Sequence, residues 1–257
     1  TTKYVKSVTA ITSDITLYAK FTEASFEHQA ANGTKTYFTS LSSSVWKKGS
    51  GTITMLKDTS ISLATTVRVS AITKNANFIL DLGGKTLTST AVDEYRRAIW
   101  VIDGNHLTVR NGTIEFTSED GFQLNTGHLT LEDDVTIKAN NHTAVVLFNG
   151  STLTTEAVIN SGSDFAIAGN GTDGYGNTTV NVSGGAITSD VIAIYQPQSG
   201  ALNISGGTIT GSTAVYAKSG TTTISGGTLN GNGALADYAY DGSGAISTGD
   251  ALVIDNC

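Results

Sequence analysis

The chain has one proline and one cysteine among its 257 residues, and charged side chains make up only 14% of it. Because a disulfide needs two cysteines, Cys257 cannot form one within the chain, and stability has to come from packing and hydrogen bonds. No apolar run approaches the roughly 20 residues that a membrane helix needs. We therefore expect a protein that is not inserted in a membrane.

Basic residues are also scarce. The 15 Lys and Arg are outnumbered by 22 Asp and Glu, which gives a formal net charge of −7. A surface that binds nucleic acid needs clustered Lys and Arg that release counterions from the phosphates. The charge balance therefore predicts that nucleic acid is not a partner.

Glycine, threonine and aliphatic residues, in contrast, are abundant. The chain has 29 Gly and is 39% hydrophobic. Thr suits a pleated strand and Gly supplies corners with positive φ, so this composition favours many short strands joined by turns. Enough apolar surface is available to offset the entropy of ordering, which excludes a disordered chain.

A sequence repeat is the main signal. The nine-residue segment Val180–Thr188 recurs at Leu202–Thr210 and at Thr222–Asn230, each time with Ser-Gly-Gly at its centre. The first Gly of each pair is Gly184, Gly206 or Gly226, so the spacings are 22 and 20 residues. Looser copies follow the same pattern at Leu80–Leu87, Leu107–Ile114, Leu129–Leu131, Leu153–Thr155 and, in part, Leu252–Ile254.

Each repeat unit is interpreted as three short strands, for example one before the Gly-Gly corner, Thr208–Thr210 after it, and Ala214–Ala217. A unit this short cannot close a core alone and has to stack on its copies. We therefore predict an all-β fold, a right-handed single-stranded parallel β-helix of about eight coils. A leucine-rich repeat is disfavoured because its leucine pattern and Asn ladder are missing, and a β-sandwich would not reuse Ser-Gly-Gly at near-constant spacing.

Alternation within the strands predicts which side chains are buried. Those predicted to point inward are Leu202, Ile204, Ile209 and Val215. Those predicted to point outward are Asn203, Thr208, Thr210 and Tyr216.

The N-terminal residues do not follow the coil pattern. The stretch Val8–Thr22, with its ending Thr16–Phe21, resembles the closing strand of the Listeria–Bacteroides repeat, a β-grasp-like module of bacterial surface proteins. This resemblance implies that residues 1–24 are the tail of an upstream module or a linker. It also implies attachment to further domains of a larger surface protein, outside the cell or in the cell wall.

The next segments resemble the entry region of pectate-lyase-like right-handed β-helix domains in exported bacterial proteins. The resemblance lies in Tyr37–Leu41, Val45-Trp46, Thr52–Ile61 and Phe78–Leu87. It implies an N-terminal cap over residues 25–51, in which Ser40–Lys48 is a short amphipathic helix, and a β-helix over residues 52–257. Such a cap protects the open end of the solenoid from edge-to-edge pairing.

Candidate catalytic groups are few. Ile99–His106 is faintly similar to the Trp-Ile-Asp-His motif of pectate lyases, but Gly104 and Asn105 separate Asp103 from His106. A strand followed by a turn explains this segment better. A glycosidase needs two carboxylates across the scissile bond. The adjacent acidic pairs Asp93-Glu94, Glu119-Asp120 and Asp133-Asp134 lie in stretches typical of turns. We predict no catalytic residue, no metal site and no cofactor.

A candidate binding edge follows from two insertions at the same corner of the solenoid, residues 169–177 and 237–244. Aromatic rings flanked by carboxylates and amides suit a sugar, and tyrosine-rich loops also suit a protein partner. We expect Phe148 to continue the column of Tyr195 and Tyr216, and a third insertion, Thr90–Arg97, to be a second contact site. The predicted binding residues are Tyr175, Tyr195, Tyr216, Tyr238, Tyr240, Asp173, Asp237, Asp241, Gln196 and Gln198.

Two functions remain open at this point. The first is a non-catalytic extracellular surface module, either a display scaffold or an adhesin-like binder of glycan or host protein. The second is a polysaccharide-active enzyme, either a lyase of the pectate-lyase-like class or a glycoside hydrolase. An alternative without any ligand also remains, in which stacked tyrosines merely protect a sheet face.

Overall fold

The computed structural model describes residues 22–61, 67–69, 74–90, 97–117, 120–140, 142–170, 175–231, 235–237 and 252–254. These residues form a right-handed parallel β-solenoid of about seven turns, with one helix of four residues. Two sheets make up the solenoid, sheet A with 17 strands and sheet B with eight. The predicted fold class is confirmed.

The first elements close one end of the solenoid. They are β1 (Phe26–Ala30), β2 (Lys35–Phe38), α1 (Ser43–Trp46) and β3 (Gly51–Met55). Strand β1 pairs antiparallel with both β2 and β3, whereas β3 pairs parallel with the next turn. Trp46 is fully buried, and its ring meets that of Phe78 edge to face with centroids 5.4 Å apart. Helix α1 is shorter than the predicted helix Ser40–Lys48, since only Ser43–Trp46 are helical.

The chain then winds turn by turn. The strands of the first half are β4 (Thr59–Ile61), β5 (Val67–Val69), β6 (Asn77–Ser89), β7 (Arg97–Ile102), β8 (His106–Phe116), β9 (Asp120–Asn125), β10 (His128–Leu131), β11 (Val135–Lys138) and β12 (Val145–Phe148). Those of the second half are β13 (Thr152–Thr155), β14 (Val158–Asn160), β15 (Ile167–Gly169), β16 (Thr178–Val182), β17 (Ala186–Thr188), β18 (Ile192–Gln196), β19 (Gly200–Ile204), β20 (Thr208–Thr210), β21 (Thr213–Ala217), β22 (Thr221–Ile224), β23 (Thr228–Asn230), β24 (Leu235–Asp237) and β25 (Leu252–Ile254).

Each turn contributes two strands to sheet A, on either side of the Gly-Gly corner, and one strand to sheet B. In β6 and β8 the two sheet A strands are continuous through the corner. Neighbouring turns pair in parallel, so that equivalent residues lie side by side, as Val180 and Leu202 do in β16 and β19. The repeat in the sequence is therefore a repeat of the solenoid turn.

The interior is a continuous column of aliphatic side chains. All four residues predicted to point inward are buried: Leu202, Ile204, Ile209 and Val215. The residues predicted to point outward are half-buried or exposed: Asn203, Thr208, Thr210 and Tyr216. Alternation along each strand thus decides burial, as predicted.

The Gly-Gly corner needs glycine for two reasons. The second Gly of each pair has a positive φ, which is 73° at Gly185, 83° at Gly207 and 94° at Gly227. The turns also approach each other closely here, since a Cβ on Gly207 would lie 2.5 Å from the carbonyl oxygen of Gly184. A side chain would therefore meet both strain and a backbone clash.

Some predictions fall on residues that the structure does not describe. The stretch resembling the Listeria–Bacteroides repeat lies almost wholly in residues 1–21, and most of the insertion Thr90–Arg97 lies in residues 91–96. The predicted domain boundaries stay predictions. In the segments that are described, no helix has the length and apolar character needed to span a membrane.

Candidate ligand-binding face of sheet B

The outer face of sheet B carries side chains that differ from turn to turn, for example Trp100, Gln123 and Val146. As predicted, the insertion 169–177 joins β15 to β16, and a second one follows β24. Strands β15, β18, β21 and β24 are successive neighbours, so three steps of the solenoid separate the two insertions. Asp237 ends β24. Four of the predicted binding residues lie outside the described residues: Asp173, Tyr238, Tyr240 and Asp241.

Tyr195 and Tyr216 occupy paired positions on β18 and β21, as predicted. Their ring centroids lie 5.5 Å apart, and Phe165 stacks on Tyr195 from the other side, at 5.1 Å and with 19° between the planes. We call Phe165, Tyr195 and Tyr216 the aromatic row. The Nζ atom of Lys218 lies 5.6 Å from the centroid of Tyr216. Phe165 and Tyr195 turn ring faces toward one another, whereas the planes of Tyr195 and Tyr216 are tilted by 41°.

Phe148 does not belong to the column of Tyr195, and this prediction is wrong. Strand pairing continues that column as Ala168 on β15 and Val146 on β12. Phe148 lies two residues further along β12, on the same face of the sheet. Its ring contacts Tyr175 instead, edge to face with centroids 5.4 Å apart.

Gln196 and Gln198 are not on the exposed edge, which corrects a second prediction. Both are buried, with exposed fractions of 2% and 3%. Nε2 of Gln196 donates to the carbonyl oxygen of Gln198, and Nε2 of Gln198 donates to Oγ1 of Thr178 at 2.9 Å. Alternation explains Gln196, because a residue next to an outward Tyr195 has to point inward. These two amides hold the corner of the turn and do not face a ligand.

A pocket lies beside Tyr175, nearer the N-terminal end of sheet B, and we call it the sheet B pocket. Its volume is about 210 Å³. The pocket is lined by Arg97, Trp100, Gln123, Asn125, Phe148, Asn170 and Tyr175. Most of these are outward positions of β7, β9 and β12, and Asn170 and Tyr175 belong to the insertion 169–177. Tyr175 is the one lining residue that belongs to the predicted binding residues, while Asn170 and Arg97 belong to insertions predicted to make contacts.

Gln123 and Asn125 form the floor of the pocket, since both point outward from the central strand β9. Trp100 is paired with Gln123 on one neighbouring strand, and Phe148 is paired with Asn125 on the other. The large rings therefore stand on either side of two short polar side chains. The two walls and the floor therefore belong to three adjacent turns, whose parallel strands are about 4.8 Å apart.

Two guanidinium groups lie over Trp100. The Cζ atoms of Arg97 and Arg68 are 4.0 Å and 4.5 Å from its ring centroid. Arg97 is buried, with an exposed fraction of 7%, and its Nη1 donates to Oε1 of Gln123 at 2.8 Å. Because arginine only donates hydrogen bonds, the oxygen of the Gln123 amide has to face Arg97. Cation–π contacts of this kind hold the wall of the pocket in place.

The opposite wall is anchored through the backbone. The N–H groups of Asn149 and Gly150 donate to the carbonyl oxygens of Tyr175 and Gly176, at 3.0 Å and 2.9 Å. Nδ2 of Asn149 also donates to Oδ1 of Asn125 at 2.9 Å. The end of the insertion is thus fixed against the turn after β12. Tyr175 keeps 38% of its surface exposed, which leaves its ring accessible to a ligand.

The segment that is faintly similar to a pectate lyase motif is a strand and a turn, as expected. Strand β7 ends at Ile102, and Asp103 and Gly104 form the turn with φ values of 60° and 69°. Asn105 is fully buried and its Nδ2 donates to the carbonyl oxygen of Ile102. This asparagine therefore stabilises the turn, and the segment brings no acid and base together.

His106 and His128 lie on neighbouring turns, one above the other, with ring centroids 6.2 Å apart. Nε2 of His106 is 2.8 Å from Oγ1 of Thr130. Burial, followed by repulsion from His128, lowers the pKa of His106 below its usual value. Within the described residues, no group of three or more His, Cys, Asp and Glu side chains is placed to hold a metal ion.

Sequence reasoning missed Trp100, Gln123, Asn125 and Phe165. Strand pairing puts Trp100 and Gln123 in one column with residues as different as Arg68, Val146 and Tyr195, so no repeated side chain marks these positions. The usable signal was an outward aromatic residue on a sheet B strand, as at Trp100 in the pattern of β7.

Comparison with protein-family models, with curated proteins and with solved structures finds no match to this chain. The functional interpretation therefore depends on the geometry of sheet B.

Proposed function

We propose that this chain is an extracellular surface module of the adhesin type, which binds glycan in the sheet B pocket and uses the solenoid as a rigid scaffold. The single observation that carries the proposal is the composition of the pocket. Aromatic rings lie beside the amides of Gln123, Asn125 and Asn170. Rings pack against the C–H face of a sugar, and amides exchange hydrogen bonds with its hydroxyl groups.

The surroundings of the pocket support a binding role. The site lies on strands β7, β9 and β12 of sheet B. Each of them is hydrogen-bonded through its backbone to a neighbouring strand on both sides, which holds it in place. Sites built on such elements are more precisely positioned than sites on loops alone. Resemblance of the sequence to pectate-lyase-like domains of exported proteins is consistent with an extracellular glycan partner. The enzyme alternative is tested in the same experiment.

The test is a screen of the full chain on a glycan array and on immobilised polysaccharides, polyuronates included. It records both retention of the protein and release of sugar product. We expect retention on at least one glycan, no product release, and loss of at least tenfold in affinity on Tyr175→Ala. The matched control is Tyr37→Ala, which removes a tyrosine that is 57% exposed in the N-terminal hairpin.

Two outcomes would overturn the proposal. Absence of retention on every glycan would exclude glycan binding, and would leave a scaffold or a binder of host protein. Product release that Tyr175→Ala leaves unchanged would show an enzyme whose site lies elsewhere.

A further inference from the structure

We infer that the sheet B pocket takes a single sugar residue at the end of a glycan chain, held by the side-chain amides of Gln123 and Asn125. This inference depends on the proposed function, because it names the part of the glycan that the same pocket recognises. It differs from binding along an extended polysaccharide, in which several sugar residues would lie along the solenoid axis.

The size of the pocket favours a single sugar residue. Its volume of about 210 Å³ is below the 300–1,000 Å³ typical of pockets that hold drug-sized ligands. A stretch of several sugar residues is at least that large. The pocket therefore matches one residue and not a run of them.

Both ends of the pocket along the solenoid axis are walled. Toward the N-terminal turns stands Trp100, with the guanidinium group of Arg97 lying over it. Toward the C-terminal turns stand Phe148 and Tyr175, whose rings meet at 76°. A polysaccharide running from turn to turn would have to pass over both walls. A chain end enters the pocket from solvent without meeting either.

The aromatic row gives no continuation for a longer ligand. The planes of Phe165 and Tyr195 are only 19° apart, so these rings cover each other's faces. A sugar residue stacks on a ring face, and these two faces are already occupied by each other. Between the pocket and the row, the column of outward positions holds the small residues Val146 and Ala168, which offer no hydrogen-bonding side chain.

The floor fixes which groups of the sugar are recognised. Oε1 of Gln123 accepts from Arg97, and Oδ1 of Asn125 accepts from Asn149. The oxygens of both amides are therefore engaged by the protein, and among the described residues none accepts from their nitrogens, which leaves these as donors for the ligand. Both amides lie on β9, two residues apart, at a spacing of about 6.6 Å along the strand. We assign them the hydrogen bonds to oxygen acceptors of the terminal residue.

The experiment compares matched probes by calorimetry on the full chain. Three probes are compared for each common hexose and N-acetylhexosamine. The first is its methyl glycoside, the second is a tetrasaccharide that ends in the same sugar, and the third is that tetrasaccharide with its terminal residue chemically capped. We expect the best methyl glycoside to bind within about threefold of its tetrasaccharide. Capping the terminal residue should lower the affinity for the tetrasaccharide by more than tenfold.

Variants test the assignment of the floor. Gln123→Ala and Asn125→Ala should each weaken the methyl glycoside at least tenfold, with an unchanged far-UV spectrum. The matched control is Asn181→Ala, which removes an outward amide from sheet A. If one floor variant unfolds, the other still tests the floor, and Tyr175→Ala tests the wall of the same pocket, since its side chain is partly exposed.

The outcomes separate this inference from the proposed function. Affinity that rises more than tenfold from methyl glycoside to tetrasaccharide, or survives capping, would show binding along a chain. That result would overturn the inference and leave glycan binding standing. Absence of binding by every probe and every arrayed glycan would overturn both.

Discussion

Tyr195 and Tyr216 are paired residues on neighbouring turns, and their ring centroids lie 5.5 Å apart. Stacking between such rings stabilises a fold by about 0.5–1.5 kcal/mol per pair beyond the area they bury. Tyr195 makes two of these contacts, because Phe165 covers its other face. The geometry favours a role in stability for the aromatic row.

We therefore predict that the double variant Tyr195→Ala, Tyr216→Ala loses about 1–3 kcal/mol of unfolding free energy, since two ring contacts disappear. Urea denaturation followed by circular dichroism measures the loss. The control is the double change to Phe, which keeps the rings and should keep the stability. An unchanged midpoint in the Ala variant would contradict the role in stability, whereas lost glycan retention in the Phe variant would assign the hydroxyl groups to binding.

A second prediction concerns the interior column. Ile209 is fully buried and Thr208, beside it on β20, is exposed. Removing a buried isoleucine side chain costs about 2–5 kcal/mol, because apolar contacts are lost and a cavity remains. We expect that loss for Ile209→Ala in urea denaturation, and a change within about 0.5 kcal/mol for Thr208→Ala. Equal losses for the two variants would mean that the strand is not oriented as described.

A third prediction concerns the Gly-Gly corner. Gly207 has a φ of 83° and a Cβ there would lie 2.5 Å from a backbone oxygen, whereas a Cβ on Gly184 would come no closer than 3.5 Å to its neighbours. Gly207→Ala should therefore destabilise the chain by more than about 1 kcal/mol. Gly184→Ala should be neutral or slightly stabilising, because alanine lowers the entropy of the unfolded chain. Thermal unfolding of both variants, side by side, provides the measurement. Similar melting temperatures would contradict the strain at Gly207.

The solenoid was predictable because its determinants are local. Two of them can be read from the sequence without knowing which turns are in contact. They are the alternation that buries Leu202 and Ile204, and the recurring Gly-Gly pair to which Gly207 belongs. The site was less predictable, because it depends on the register between turns. Phe148 was assigned to the column of Tyr195 from its similar place in the unit, and only strand pairing shows the offset of two residues.

The two glutamines illustrate a different limit. Gln196 could have been placed correctly, since alternation from Tyr195 points it inward. Gln198 lies beyond the end of β18, where alternation no longer applies, and a hydrogen bond to Thr178 directs its side chain. The pocket also needs Tyr175, whose position depends on backbone hydrogen bonds to the turn at Asn149 and Gly150. No pattern within the insertion specifies those contacts.

The last prediction concerns pH. His106 is partly buried beside His128, and both effects disfavour its charged form, so its pKa in the folded chain is below that in the unfolded chain. Lowering the pH below about 6.5, the usual pKa of histidine, lets the unfolded chain bind a proton that the folded chain resists. Stability from this group is therefore fully present above that pH and is lost as the pH falls through the folded pKa.

The comparison of the wild-type chain with His106→Gln isolates this effect, because glutamine does not titrate and still reaches Thr130 as a hydrogen-bonding partner. Other groups titrate in the same range, so the quantity to measure is the difference in unfolding free energy between the two chains at each pH. We expect that difference to shift in favour of the variant as the pH falls from 7.5 to 5, at constant ionic strength. A difference that stays constant over this range would show that the fold does not resist protonation of His106. His128→Gln should weaken the dependence without removing it, since burial contributes more than the neighbouring imidazole.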